Sequence, residues 1–293
     1  LPVTGQSAYT AALDISSDSA KAALLTLTSP LSGIGISLPS PFDKKAEVTT
    51  PLTIQMEIDD GVVSLDASLG DIANAKALFD NGELRKGGLF IGDGHVDDLA
   101  DNGINITGVL EQLAVGPWVD YLSSSSGRDS DTDTAIQKVD LQVTHLNIYD
   151  QLFHSVDIVI QSEADEWSIG LKGDDVEGTV YLPPENHKPN IVIKKVQLAS
   201  ANSGSLGDDL SPFDVPEMTL LVDDLIIDGV GYGQWSADLV RKENGVVAKD
   251  IKGSLAGANF QGRLSWMKDV YGTSTSILTA TIDGGDVAAV AKA

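Results

Sequence analysis

The sequence predicts an all-β fold built from repeated antiparallel strands, and three observations carry that expectation. Apolar and polar residues alternate with period two along most of the chain. Turn-forming clusters separate the alternating runs every eight to twelve residues or so, the spacing of a meander or sandwich. A glycine-bounded strand motif recurs, which predicts stacked units and an elongated body rather than a sphere.

In chain order, "AYTAALDIS" (8–16) and "AALLTLTS" (22–29) read as the first strands, followed by "PLSGIGISLPSPFDK" (30–44). In "PLTIQMEIDDGVVSLDASL" (51–69), Leu52, Ile54, Met56 and Ile58 alternate with polar residues. After Asp60-Gly61 the alternation resumes at Val63 and Leu65. Alternation on both sides of an Asp-Gly pair predicts a β-hairpin with one oily face. "ITGVLEQLAVGPWVDYL" (106–122) alone has helix-like spacing, interrupted by Gly116-Pro117, and predicts one short, broken helix. "SSSSGRDSDTDTA" (123–135) is poor in apolar residues and rich in turn formers, so a polar linker or loop is expected over 123–138. It divides β units in 1–122 from further β units in 139–293.

The second half repeats the pattern in "DLQVTHLNI" (140–148), "SVDIVIQS" (155–162) and "EWSIGLKG" (166–173). "DDVEGTVYLPPENHK" (174–188) shares a glycine, a short strand, Leu-Pro, a further proline and a closing lysine with 30–44. A polar stretch over 199–212 reads as a surface loop. "MTLLVDDLIID" (218–228), "WSADLVRK" (235–242), the glycine-bounded "IKGSLAGANFQGRLSW" (251–266) and "TSILTATID" (275–283) complete the strands. Asn244-Gly245 predicts a second hairpin and Asp283-Gly284-Gly285 a turn.

Composition bounds the function. The 293 residues are 42% hydrophobic, ample for a core, and only 5% aromatic, so the apolar load is aliphatic. Forty-three acidic against 19 basic residues give a net charge of −24, which argues against nucleic acid and anionic lipid surfaces as direct partners. The absence of cysteine removes disulfides, thiolate catalysis and cysteine metal sites. No run approaches the roughly 18 apolar residues of a membrane span. The chain reads as a soluble internal segment of a longer parent.

Motifs for chemistry are sparse. His95, His145, His154 and His187 are dispersed, without the spacing that puts two metal ligands on one element. Asp129, Asp131, Asp133 and Asp140 partly match a calcium loop, but Thr134 stands where the sharp turn needs glycine, and a solvated acidic loop is the simpler expectation. Gly229, Gly231 and Gly233 in "GVGYGQW" follow a strand and precede another. The helix N-terminus of a phosphate loop is therefore missing, and a bulge or tight bend is expected. No GxSxG elbow occurs. These residues predict no enzyme, no cofactor and no resident metal. Alternation alone fits an open sheet with one uncovered apolar face and, equally, an adhesive or structural sandwich array with a closed core.

The succession "SPLSGIGISLPSPFDKKAEVTTPLTI", "FHSVDIVIQSEADEWSIGLKGDDVEGTVYLPPENHKPNIVIKKVQL" and "PFDVPEMTLLVDDLIIDGVGYGQWSADLVRKENGVVAKDIKGSLAGANFQGRLSW" resembles the YhdP branch of the AsmA-like proteins along essentially the whole chain. The resemblance implies a sheet curled into an open hydrophobic groove that carries phospholipid or another acyl-chain lipid without covalent chemistry. It also implies a periplasmic location, a parent anchored in the inner membrane that contacts membranes through other segments, and a role in outer-membrane biogenesis in Gram-negative bacteria. On that expectation Leu52, Ile54, Met56, Ile58, Val63 and Leu65 line the groove in the first half. Val156, Ile158, Ile160, Trp167, Ile169 and Leu171 line it in the second.

Overall fold

The computed structural model describes residues 2–15, 23–97, 99–125, 136–148, 151–163, 166–183, 188–200, 211–213, 215–255, 257–269 and 271–284. The chain forms two compact units, Leu1–Tyr149 and Asp150–Ala293. The fold is all-β and repetitive, as predicted, with one helix among the described residues.

In the first unit one long sheet runs in the order β2-β3-β5-β6-β7-β8-β9-β10, from β2 (Thr10–Asp14), β3 (Ala23–Ser29), β5 (Leu52–Asp59), β6 (Val62–Leu69), β7 (Ala73–Asp80), β8 (Glu83–Ile91), β9 (Gly103–Ala114) and β10 (Ile136–Ile148). A separate two-stranded ribbon joins β1 (Val3–Gly5) to β4 (Ile34–Ile36). The predicted hairpin forms between β5 and β6, with Asp59 opposite Val62. Its turn needs two residues at positive φ, and Asp60 at 40° and Gly61 at 82° supply them. Asn81 (51°) and Gly82 (86°) do the same between β7 and β8.

Two pairings depart from the antiparallel expectation: β8 with β9 and β9 with β10 are parallel. Parallel neighbours need a crossover rather than a tight turn; a segment of 11 residues separates β8 from β9, and α1 follows β9 on the way to β10. The helix α1 occupies Val115–Ser125, while Ile106–Ala114 of the predicted helix is strand. Pairing on both sides overrides the local apolar spacing there, and Pro117 sits in the first turn of α1, where its missing N–H costs nothing. The linker expected at 123–138 lies largely outside the described residues, as do Asp129, Asp131 and Asp133.

In the second unit the sheet runs from β11 to β19 in chain order: β11 (Gln151–Glu163), β12 (Glu166–Lys172), β13 (Val176–Leu182), β14 (Asn190–Leu198), β15 (Met218–Ile227), β16 (Val230–Lys242), β17 (Gly245–Leu255), β18 (Ala258–Lys268) and β19 (Ser274–Asp283). Only β14 and β15 pair in parallel. Gly229 lies in the β15–β16 turn, and the register shifts near Leu225, opposite Gly233, so the glycine-rich run makes a turn and a bulge as predicted. At the Asn244-Gly245 hairpin the loop is Glu243-Asn244, since Lys242 already pairs with Gly245. The two copies of the Leu-Pro motif take different places: β4 belongs to the ribbon and β13 to the interior of the long sheet.

The least exposed apolar residues of the first unit include Leu110, Leu141, Val143 and Leu146 on β9 and β10, and Val96 and Ala100 in the segment between β8 and β9. In the second unit Phe153, Val156, Ile158, Val176, Val222, Val246 and Val247 are buried. Lys44 is buried as well, and its ammonium donates to the backbone carbonyls of Leu31 (2.8 Å), Ile34 (2.7 Å) and Lys45 (3.2 Å). It pins the segment between β4 and β5.

Candidate functional site

Strand register builds an apolar surface one cross-strand pair at a time. In the first unit Leu13 lies opposite Leu25, Leu25 opposite Met56, Met56 opposite Leu65, Leu65 opposite Ala77, Ala77 opposite Gly87, and Gly87 beside Ile104. Side chains alternate across a strand, so these residues share one face. The neighbouring row on that face joins Leu27, Ile54, Ala67, Ala75, Leu89 and Ile106. The reverse face carries Thr26, Gln55, Asp66, Lys76 and Asn105 in the corresponding row. Period-two alternation in sequence thus becomes segregation across a sheet.

The second unit repeats the construction. One row joins Ile160, Ile169, Val180, Ile191, Leu220 and Ala237. A second joins Met218, Leu239, Ala248, Leu264 and Leu278. The opposite face sets Asp157 against Lys172, Lys172 against Glu177 and Glu177 against Lys195. Glu177 also accepts a 2.9 Å hydrogen bond from Lys194, which holds its carboxyl below the usual carboxylate range and raises Lys194 in turn.

These apolar faces are unevenly covered. On the face in question Leu13 is 56% exposed, Ile58 41%, Leu278 57% and Ile282 56%, whereas Leu110 is 6% and Val143 2%. A sandwich core would be dry throughout. Leu25, Leu27, Ile54, Met56, Val63 and Leu65 sit between these extremes, half-buried, and among the described residues their unit has no second sheet beyond the short ribbon.

The six positions predicted on the first hairpin therefore come together on one face: Met56 meets Leu65, Ile58 meets Val63, and Leu52 and Ile54 extend the line. In the second unit Ile158 meets Leu171 and Ile160 meets Ile169, with Trp167 opposite Ser162. Val156 and Ile158 are buried and belong to the dry core, while Ile160, Trp167, Ile169 and Leu171 are half-buried. Alternation does not separate these two environments, because it reports the face and not what lies over it.

Among the described residues no cluster of histidine and acidic side chains has the makings of a metal site. His154 pairs with Asp175 at 3.1 Å and His145 with Glu111 at 3.3 Å, both partly solvated. His187 lies outside the described residues. A shallow, open depression of about 310 Å³ lies where β2, β3 and β5 meet, between Tyr9, Ser29, Pro51 and Leu52.

A sequence model of the YhdP protein family matches residues 2–293. The chain belongs to the YhdP family. The match bears out the resemblance to the YhdP branch of the AsmA-like proteins along essentially the whole chain. No curated protein and no solved structure matches the chain. No helix among the described residues is long and apolar enough to cross a membrane.

Three features of the site escape the sequence reading. The parallel pairings carry the apolar rows across β8, β9 and β10 and across β14 and β15. Small residues thin the face in the middle of the first unit, at Ala67, Ala75, Ala77 and Gly87. Phe42 and Trp118 meet edge-to-face, their ring centroids 5.6 Å apart, from positions 76 residues apart in sequence (118 − 42). Only the run "NG" at Asn81-Gly82 offered an additional local signal, as a hairpin turn.

Proposed function

We propose that this chain is a non-enzymatic, lipid-conducting segment whose aliphatic sheet faces hold the acyl tails of phospholipids while head groups stay in water. The observation that carries the proposal is the aliphatic face in each unit, half-exposed along the rows through Leu25, Met56 and Leu65 and through Ile160, Ile169 and Val180, with a reverse face that is largely polar in the first unit and mixed in the second. Burying a tail against it contributes ~0.8 kcal/mol per CH₂, so contact along part of a tail offsets much of the cost of leaving a bilayer. Passage then needs similar contacts from row to row and no covalent step, which suits Leu, Ile, Val and Ala rows. The family supports the same role within a longer periplasmic protein anchored in the inner membrane and serving the outer membrane.

The test is native mass spectrometry with lipid extraction on gently purified chain, paired with the Leu65→Asp variant. Phospholipid retained at reproducible stoichiometry, and reduced by the substitution, is the expected outcome. A chain that carries no lipid, and takes none from phosphatidylethanolamine vesicles, refutes the proposal.

A further inference from the structure

In the second unit one end of the apolar face carries two cations. Leu239, Ala248, Leu264 and Leu278 lie side by side across β16, β17, β18 and β19. Two residues along each strand, towards the β16–β17 hairpin, the same face carries Arg241, Val246, Trp266 and Ser276. One step past Trp266 it carries Lys268, opposite Ser274. Val246 is buried, Trp266 and Lys268 are half-buried, and Arg241 is exposed.

Alternation sorts other cations of this sheet to the reverse side. Lys172, Lys195, Lys242, Lys249, Lys252 and Arg263 all stand one residue out of phase with the apolar rows. No acidic residue stands in either row, in a chain with a net charge of −24.

The hydrogen bonds at this end leave both cations capable of taking an anion. Arg241 Nη2 donates to the carbonyls of Phe213 (2.7 Å) and Val215 (3.4 Å), which holds the guanidinium in place while Nε and Nη1 engage no described residue. Neither Arg241 nor Lys268 forms an ion pair among the described residues. The carboxylates nearby serve the backbone instead: Glu217 accepts from Arg241 N–H (2.8 Å), and Asp269 accepts from Tyr271 and Thr273 N–H (2.9 and 2.8 Å). The indole N–H groups of Trp118 and Trp235 donate to the carbonyls of Ser40 and Tyr232, whereas that of Trp266 has no partner among the described residues. An indole with its ring beside Leu264 and its N–H unengaged suits the boundary between an apolar surface and water.

We propose that this end of the apolar face is a subsite for the phosphodiester of a lipid, bound by Arg241 and Lys268 with the Trp266 N–H beside them, while the tails lie on the row through Leu239, Ala248, Leu264 and Leu278. The subsite rests on the lipid-conducting role proposed above and adds a preference to it: a lipid with a phosphate docks here better than one with the same tails and none. Two strand spacings and one residue pair separate the cations, roughly 12 Å between Cα atoms, a span that two long side chains close around one phosphate. Arginine and lysine both make charge-assisted hydrogen bonds to phosphate oxygens. Water reaches these cations, so the hold is modest and weakens with salt, as a stopping point on a path requires.

The test uses the whole chain. Phosphatidylethanolamine and diacylglycerol carrying the same photoreactive tail are delivered separately from cyclodextrin. Cross-links to peptides of β16, β17 and β18 are counted by mass spectrometry, with first-unit peptides as the internal reference. About two- to tenfold more cross-links from phosphatidylethanolamine than from diacylglycerol are expected on the second-unit peptides. Lys268→Met and Arg241→Gln are expected to lose most of that excess, Lys268→Arg to keep it, and high salt to shrink it, with first-unit cross-links unchanged. The Lys268 side chain donates no hydrogen bond to a described residue, so Lys268→Met carries the test if Arg241→Gln, which gives up the Phe213 and Val215 carbonyls, fails to fold. No excess, or an excess that both substitutions leave intact, overturns the subsite and leaves the conducting role standing. Inorganic phosphate that binds the parent chain and not Lys268→Met in titration calorimetry, without a phosphatidylethanolamine excess, marks a site for free phosphate and overturns the lipid assignment. Failure of both lipids to cross-link anywhere on the chain overturns the conducting role itself.

Discussion

Substituting aspartate at two positions on the same side of the same sheet separates a wet face from a dry core. Leu65 lies on β6 between Met56 and Ala77 and is half-buried; Val143 lies on β10 beside Leu110 and is 2% exposed. Fully burying a leucine is worth about 1.5–3 kcal/mol, so a half-buried one contributes roughly half of that. Leu65→Asp forfeits this contribution, but water reaches its carboxylate, and the loss of stability is expected to be about 1–2 kcal/mol. At Val143 the carboxylate has no partner and no water, and breaking a dry site in this way costs several kcal/mol, about 3–5 by analogy with unpaired buried charges. Urea unfolding followed by circular dichroism, on each variant and the parent chain, measures the difference. A folded Leu65→Asp protein that has lost bound lipid, beside a Val143→Asp protein largely unfolded in buffer, is the expected pair of results. Equal and severe destabilisation at both positions refutes the view that the hairpin face is open to solvent.

Further perturbations test the framework around that face. Lys44→Met leaves the carbonyls of Leu31, Ile34 and Lys45 without their donor; a midpoint loss equivalent to about 2–3 kcal/mol is expected in the same unfolding assay, and an unchanged midpoint removes the lysine as the anchor of the segment between β4 and β5. Gly253 lies beneath Trp235, and a methyl group there meets the indole at 2.5 Å. Gly253→Ala is therefore expected to cost about 1–3 kcal/mol and to disturb the Trp235–Phe260 contact, seen as a changed near-ultraviolet spectrum. Glu177 is depressed by Lys194 and Lys194 raised by Glu177, so their mutual support is present across neutral pH. It is lost as pH falls through the folded Glu177 pKa and as pH rises through the folded Lys194 pKa. Carbon-13 titration of the Glu177 carboxyl is expected to move up in Lys194→Met, and a static curve refutes the pairing.

The sequence made legible whatever depends on near neighbours. The hairpin at Asp60-Gly61, the face shared by Ile54, Met56, Val63 and Leu65, and the bend at Gly229 and Gly233 follow from alternation and turn chemistry. Features set by distant neighbours stayed hidden. Ile106–Ala114 has helical spacing, yet it lies between β8 and β10 and becomes a strand because both flanks pair with it. Parallel neighbours carry no two-residue turn to announce them, so β14 and β15 read as ordinary members of a meander. Val156 and Ile160 share one alternating run, and only packing decides that the first is dry and the second half-buried.

The uneven burial also has an energetic logic. An aliphatic face left half-exposed forgoes ~25 cal/mol for each Å² it leaves in water, and in an ordinary globular domain a second layer would recover that stabilisation. In this chain the dry packing is concentrated around β9 and β10 and in parts of the second unit, while the rows through Leu25, Met56 and Leu65 keep only sheet hydrogen bonds and half-buried contacts. On the proposed role, these less covered rows are where a transient apolar layer docks. On the proposed role a ligand layer that is to leave again must bind weakly at every step, and rows of similar aliphatic side chains would provide that: Ile54 with Ala67 and Ala67 with Ala75 offer small, comparable contacts. Filling the row with larger groups, as in Ala75→Phe, is expected to leave the polar reverse face and the hairpin turn untouched. It places an aromatic side chain above the half-exposed surface and slows tail-labelled phospholipid exchange more than it lowers unfolding stability. An Ala75→Phe protein that unfolds readily while exchanging lipid at the parental rate would instead mean that Ala75 faces packed protein rather than passing lipid.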